Sequence, residues 1–110
     1  MNKVRTYSRY SISAAILLGK QIRFARKQRK WSEGELAERA GVSRSTIKRI
    51  EKGDMKCAIG FVFEVAVLVG IKLFESDNIS LTAQIERFDD KIALFPKAVQ
   101  NGEKKVDDAF

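Results

Sequence analysis

The chain contains no histidine, one cysteine and one proline. Without histidine there is no Ser-His-Asp or Cys-His nucleophile system, and no His-ligated zinc or haem. A single cysteine, Cys57, forms no intrachain disulfide and no Cys-only metal centre. Its simplest role is that of a small buried residue, in keeping with a reducing, cytoplasmic compartment. No stretch reaches the roughly 20 apolar residues that a membrane span needs. The longest apolar segment, Ala58 to Phe74, is interrupted by Glu64 and Lys72 and broken by Gly60 and Gly70. The N-terminal ten residues are polar and basic, unlike a signal peptide. No paired carboxylates converge on an apolar stretch, so neither a catalytic centre nor a metal or cofactor site is expected.

What is abundant is positive charge. In 110 residues, 21 Lys and Arg face 14 Asp and Glu, for a net charge of +7. The surplus is uneven: residues 1–56 carry 15 basic and 5 acidic side chains, net +10, whereas residues 57–110 carry 6 and 9, net −3. The basic half points to a polyanionic partner and the mildly acidic half to a different one. The densest run, Arg23 to Lys30, holds five cations in eight residues.

With proline only at Pro96, and with apolar residues stepping by three and four, the pattern is all-α. Ala15, Leu18, Ile22 and Ala25 set the inner stripe of a first helix over about Ala14–Lys30, capped by Ser11 or Ser13. Ile12, Ile16, Leu17 and Phe24 fall off that stripe. A second helix opens at Ser32, with Glu35 three residues on as a capping box and Trp31 and Leu36 as a hydrophobic staple. It ends at Gly41. The signal repeats with Ser43 as cap and Val42 and Ile47 as staple, for a third helix ending near Gly53. The nearly all-apolar Ala58–Val69 predicts a fourth helix buried on every side except at Glu64. Ile71–Phe74 reads as a short strand or an extended link. A fifth helix over about Ser80–Phe95 carries Leu81, Ile85, Phe88, Ile92 and Phe95 at 4-3-4-3 spacing, a seam for its own domain, a dimer or a partner.

The second and third helices with their glycine turn make a helix-turn-helix candidate. Ala37 is small where the helices cross, Gly41 supplies the turn, and Val42, Ile47 and Ile50 bury the inner face of the third helix. Its outer face then shows Ser45, Lys48, Arg49 and Lys52, with Arg44 at the N-terminal margin. A recognition helix directs such residues to base edges, and the arginine fork suits guanine O6 and N7. Arg44, Ser45 and Arg49 are therefore expected at bases and Lys48 at a base or phosphate. Lys52 and Lys56 suit phosphates, as do Ser32 and Ser43 at the helix N-termini.

Leu18-Gly19-Lys20-Gln21-Ile22-Arg23, Trp31-Ser32-Glu33-Gly34-Glu35-Leu36-Ala37 and Gly41 through Gly53 resemble the phage-repressor (Xre/Cro-type) helix-turn-helix family over about residues 14–75. The resemblance implies a five-helix, lambda-repressor-like domain that binds palindromic operators in double-stranded DNA as a homodimer. It also implies a buried ion pair between Arg26 and Glu51. Glu33 stands where the family often has glutamine, and a carboxylate there repels phosphate, so no DNA contact is carried over to it. Gly34 lies inside the second helix at a cost of about 1 kcal/mol relative to alanine. Gly60 through Phe74, Leu94-Phe95-Pro96-Lys97 and the terminal Val106–Phe110 resemble the HipB-like branch, antitoxins encoded beside HipA-type serine/threonine kinases. Ala109 departs from that branch, where an acidic residue is usual. The implied partners are operator DNA, a second copy and the kinase, in some systems with a third small protein. The alternative is a stand-alone phage-type repressor. The expected organisation is an arm over 1–12, the DNA-binding domain over 13–75, a C-terminal helix over 76–96 and a flexible tail over 97–110.

Overall fold

The computed structural model describes residues 5–74 and 80–97. Five helices and no strand occur among them: α1 (Arg9–Gln28), α2 (Glu33–Ala40), α3 (Arg44–Glu51), α4 (Ile59–Leu68) and α5 (Leu81–Ala93). They divide into two compact units, Met1–Leu73 with the first four helices and Phe74–Phe110 with the fifth. Ile71–Phe74 is neither helix nor strand.

In the first unit the core is small and shared by all four helices. Ile22, Leu36, Ala37, Ile47, Ile50, Val65, Ala66 and Val69 are buried, with Leu18, Ala25, Trp31 and Val42 among those packed around them. Leu18, Ile22 and Ala25 are the stripe expected of α1. Its start differs from the expectation, however. The cap is Ser8, whose Oγ accepts the Ser11 N–H at 3.1 Å, so the helix begins at Arg9 and absorbs residues 9–12 of the expected arm. Three serines spaced through a polar stretch offer equivalent local signals, and Ser8 is the one in extended conformation.

Local chemistry fixes α2 and α3 tightly. The Ser32 Oγ accepts the Glu35 N–H at 3.0 Å, and Glu35 Oε1 accepts the Ser32 N–H at 2.7 Å. Gly41 takes φ +73°, a left-handed conformation costly to other residues, and redirects the chain. One residue after that turn's Val42, the Ser43 Oγ accepts the Thr46 N–H at 3.1 Å and starts α3. Gly19 brings α1 onto the end of α3: a Cβ there would lie 2.6 Å from the Ile50 carbonyl oxygen and 2.7 Å from that of Glu51.

The fourth helix corrects the sequence reading. Only Val65 and Ala66 of α4 are buried, followed by Val69 just past its end, while Ile59, Phe61, Phe63 and Val67 are exposed alongside Glu64. Apolar composition fixes the kind of surface α4 carries, not how many neighbours it meets; within this unit its main contact is α2. Ile12, Ile16, Leu17 and Phe24 on α1 are likewise exposed.

Among its described residues the second unit has one helix, capped by Ser80, whose Oγ accepts the Ala83 N–H at 3.1 Å. The Gln84 side-chain amide donates to the Phe74 carbonyl at 3.2 Å. No residue of α5 is buried, so its seam does not serve as a core of its own unit. The tail from residue 98, including Val106–Phe110, lies outside the described residues.

Candidate nucleic-acid interface

The third helix is placed from behind. Ile47 is fully buried and Ile50 is 4% exposed, so α3 cannot rotate without uncovering the core. Ser45, Lys48, Arg49 and Lys52 then face outward, and Arg44 projects at the N-terminal margin. These five side chains are exposed along one amphipathic helix, and Lys56 is exposed just beyond it. Ser32 and Ser43 are exposed at the starts of α2 and α3, where free amides and the positive helix end favour an anion. The Ser43 hydroxyl also lies 3.1 Å from Ser45 Oγ and 2.9 Å from Thr46 Oγ1.

Behind this face, Arg26 and Glu51 form a buried pair. Arg26 Nε donates to Glu51 Oε2 at 2.7 Å and Nη2 donates to Oε1 at 3.1 Å. Nη1 donates to the Trp31 carbonyl at 2.8 Å. One guanidinium therefore ties α1 to the last residue of α3 and to the residue ahead of the Ser32 cap. The hydrogen bond to Glu51 raises the Arg26 pKa above its ordinary value, against the opposing effect of burial. Arg26 belongs to the fold rather than to the free positive surface. Trp31 is a second fixed point, with the guanidinium of Arg39 4.3 Å and that of Arg29 5.6 Å from its ring centre.

Three residues bear on the face in ways the sequence left open. Asp54 Oδ2 accepts from Arg49 Nε at 2.8 Å, and its Oδ1 accepts the Lys56 N–H at 2.8 Å. The Arg49 hydrogen bond and then the Lys56 amide hold the Asp54 carboxyl below the usual carboxylate range. Using Nε leaves both Arg49 Nη groups for a ligand while fixing the plane of the guanidinium. Asp54 lies just past the turn at Gly53, beyond the helical periodicity that marked Arg49. Glu33 Oε1 lies 3.7 Å from Arg44 Nε, so the carboxylate expected to repel phosphate sits beside a cation. Arg23, assigned only to the basic run, shares a shallow cleft of about 210 Å³ with Lys48, Lys52, Glu33 and Glu51. Its position directly after buried Ile22, at the edge of the inner stripe, is the sequence signal for that placement.

Two short capped helices, a left-handed glycine turn and an outward cationic face are the parts of a major-groove reader. The family comparison decides it, matching residues 22–75 to the helix-turn-helix family. Residues 22–75 are a helix-turn-helix domain. This segment is accordingly a DNA-binding helix-turn-helix domain of the Xre type, and the described residues are all-α and lambda-repressor-like in fold. Three solved structures resemble the chain that carries this domain, each at 19% identity and TM-score 0.51 and each matched over its whole length. They are an MDT protein and a HipA-HipB-O2-O3 complex, each covering 70% of this chain, and a HipB variant with an O2 20-mer, covering 71%. At that identity they establish the fold of the helix-turn-helix domain and its surroundings. No curated protein sequence gives a significant match. Among the described residues no group of three or more acidic or cysteine side chains is placed to hold a metal ion, and no helix is long and apolar enough to cross a membrane.

Proposed function

We propose that this chain is an autorepressor and the antitoxin component of a HipA-type kinase toxin–antitoxin system, acting in the cytoplasm on a palindromic operator as a dimer. The observation that carries the DNA half of the reading is the outward face of α3, backed by buried Ile47 and Ile50. In that reading Arg44, Ser45 and Arg49 meet base edges, Lys48 meets a base or phosphate, and Ser32, Ser43, Lys52 and Lys56 hold phosphates. Residues 13–75 supply DNA binding, and α5 and the residues C-terminal to it supply contacts to other proteins.

The kinase half is supported by the HipB-like residues from Gly60 to Phe74 and at Leu94–Lys97. It is supported too by fold likeness to HipB in complexes that contain HipA and O2 or O3. The mildly acidic second half offers a surface distinct from the DNA face. Two measurements test the reading together. Footprinting of the chain's own promoter is expected to reveal a two-fold symmetric protected site. Affinity purification from the native host is expected to bring down a HipA-type kinase, with or without a third small protein. A symmetric footprint without any kinase would leave a stand-alone repressor; protection of no site would remove autorepression.

A further inference from the structure

We propose that Arg23 of α1 makes, with Lys48 and Lys52, a clamp for the phosphate backbone of DNA, so that the grip extends beyond the helix-turn-helix onto α1. The proposal rests on the DNA reading under Proposed function and adds a contact that the periodicity of α3 does not supply. Three cations from two separate elements line one cleft of about 210 Å³, with Glu33 and Glu51 as its other walls. The packing of α1 on α3 puts them there. Gly19 lets the α1 backbone approach the Ile50 and Glu51 carbonyls at the end of α3. Arg26, seven residues on, is locked to Glu51. Arg23 lies between these two fixed points on the same side of α1, one turn past Gly19, and is exposed. Lys48 on α3 and Lys52 at its C-cap are also exposed, one turn apart.

The charges in the cleft do not balance. Both Glu51 oxygens accept from Arg26, and Glu33 Oε1 lies 3.7 Å from Arg44 Nε. Each carboxylate in the cleft is thus matched to a cation outside the trio. Among the described residues Arg23, Lys48 and Lys52 have no carboxylate within ion-pair distance. Lys48 lies in the last turn of α3, where a cation complements the helix dipole, but Arg23 is more than a turn short of the end of α1. Like charges one turn apart repel, and a third brought in from α1 adds to that repulsion, which a phosphate relieves. The cleft suits a simple phosphate better than an organic ligand. All five lining residues are charged, and the volume falls below the ~300 Å³ of apolar-walled small-molecule sites. Lys48 and Lys52 belong at once to the cleft and to the outward face of α3, so a duplex seated on that face runs its backbone past Arg23. The guanidinium then offers two parallel N–H groups to one phosphate.

Arg23→Gln nearly keeps the length of the side chain and removes its charge, and at an exposed position it is expected to leave the thermal midpoint unchanged. Fluorescence anisotropy compares the duplex protected in the promoter footprint with a random duplex. Both are expected to bind more weakly by the same factor, roughly tenfold for each copy bound, as for the loss of one charge-assisted hydrogen bond. Arg23→Lys is expected to restore most of that loss. Promoter duplexes carrying single neutral methylphosphonates locate the contact. At the phosphate gripped by Arg23 the neutral linkage is expected to weaken wild type but to add little to Arg23→Gln; at phosphates away from the cleft the two losses should multiply. Losses that multiply at every phosphate would make Arg23 a residue that only orders the cleft and would overturn the clamp. Binding of both duplexes at wild-type strength by Arg23→Gln would overturn it too, and a loss on the promoter duplex alone would make Arg23 a base reader instead. Inorganic phosphate, titrated at constant ionic strength, separates the two sources of the anion. The Arg23 Nε–H resonance is expected to move with the duplex and little with inorganic phosphate; the reverse would assign the cleft to a free anion. A wild-type chain that binds neither duplex overturns the DNA reading as a whole, and this proposal with it.

Discussion

Arg49 and Asp54 show how a single ion pair on the surface bears on sequence reading. In water such a pair contributes little to stability. Its effect is on direction: with Nε held by Asp54 at 2.8 Å, the guanidinium presents its Nη edge with its plane already set. Arg49→Ala should relax operator choice at one base pair and cost about 1–3 kcal/mol of specific binding. Asp54→Ala leaves the charge of Arg49 in place but frees its orientation. Discrimination between operator and single-base variants should therefore narrow while binding to random DNA holds or rises slightly. Competition binding with a panel of single-base variants measures both; equal weakening on operator and random DNA would remove Arg49 from base readout. The pH dependence comes from the lowered pKa of Asp54. A lowered carboxyl contributes its pairing above its ordinary value, ~3.9, and loses it as pH falls through the lowered one. The pair is thus intact throughout the neutral range, and a carboxyl-detected NMR titration should place the Asp54 midpoint below ~3.9.

At the scale of elements, two glycines in helices make opposite predictions. Gly19 has backbone atoms of Ile50 and Glu51 within 2.6–2.9 Å of where a Cβ would stand, and carbonyls at a helix end cannot move aside as a side chain does. Gly19→Ala should push α1 off α3 and destabilise the first unit by about 1–3 kcal/mol, read from urea denaturation. Gly34, by contrast, would place a Cβ no nearer than 3.8 Å to Ser32 Oγ. Gly34→Ala should stabilise α2 by up to about 1 kcal/mol through helix propensity alone. The same contrast explains what could be read from the chain. The boundaries of α2 and α3 and the outer face of α3 were legible because caps, turn glycine and periodicity are local signals. Ser8 was not distinguishable from Ser11 and Ser13, since each is a serine ahead of a helical pattern. The burial of α4 was misread because Ile59, Phe63 and Val67 have the composition of a core yet stand exposed in the structure. Asp54 was missed because its partner lies across the turn at Gly53, where no period applies.

For the molecule as a whole, the charge proposed to reach DNA is smaller than the net +7 and differently placed. Arg26 is withdrawn into the fold with Glu51 at 7% and 8% exposure. Arg26→Ala would strand a buried carboxylate and should cost about 3–5 kcal/mol, seen as a lowered thermal midpoint. What remains on the proposed DNA face is Arg44, Lys48 and Arg49 on α3, Lys52 at its C-cap, Lys56 beyond it and Arg23 beside Lys48 and Lys52. If Lys48, Lys52 and Lys56 each neutralise one phosphate, a dimer on its operator releases the counterions of about six. The logarithm of the binding constant should then fall with the logarithm of salt at a slope of about −5. Lys52→Gln and Lys56→Gln should each reduce that slope by roughly one for every copy bound, weakening operator and random DNA alike. Arg49→Ala should instead alter the preference among sequences more than the slope. Fluorescence-anisotropy titrations from low to moderate salt separate the two effects, and a flat salt response in the wild-type chain would refute this face as the DNA surface.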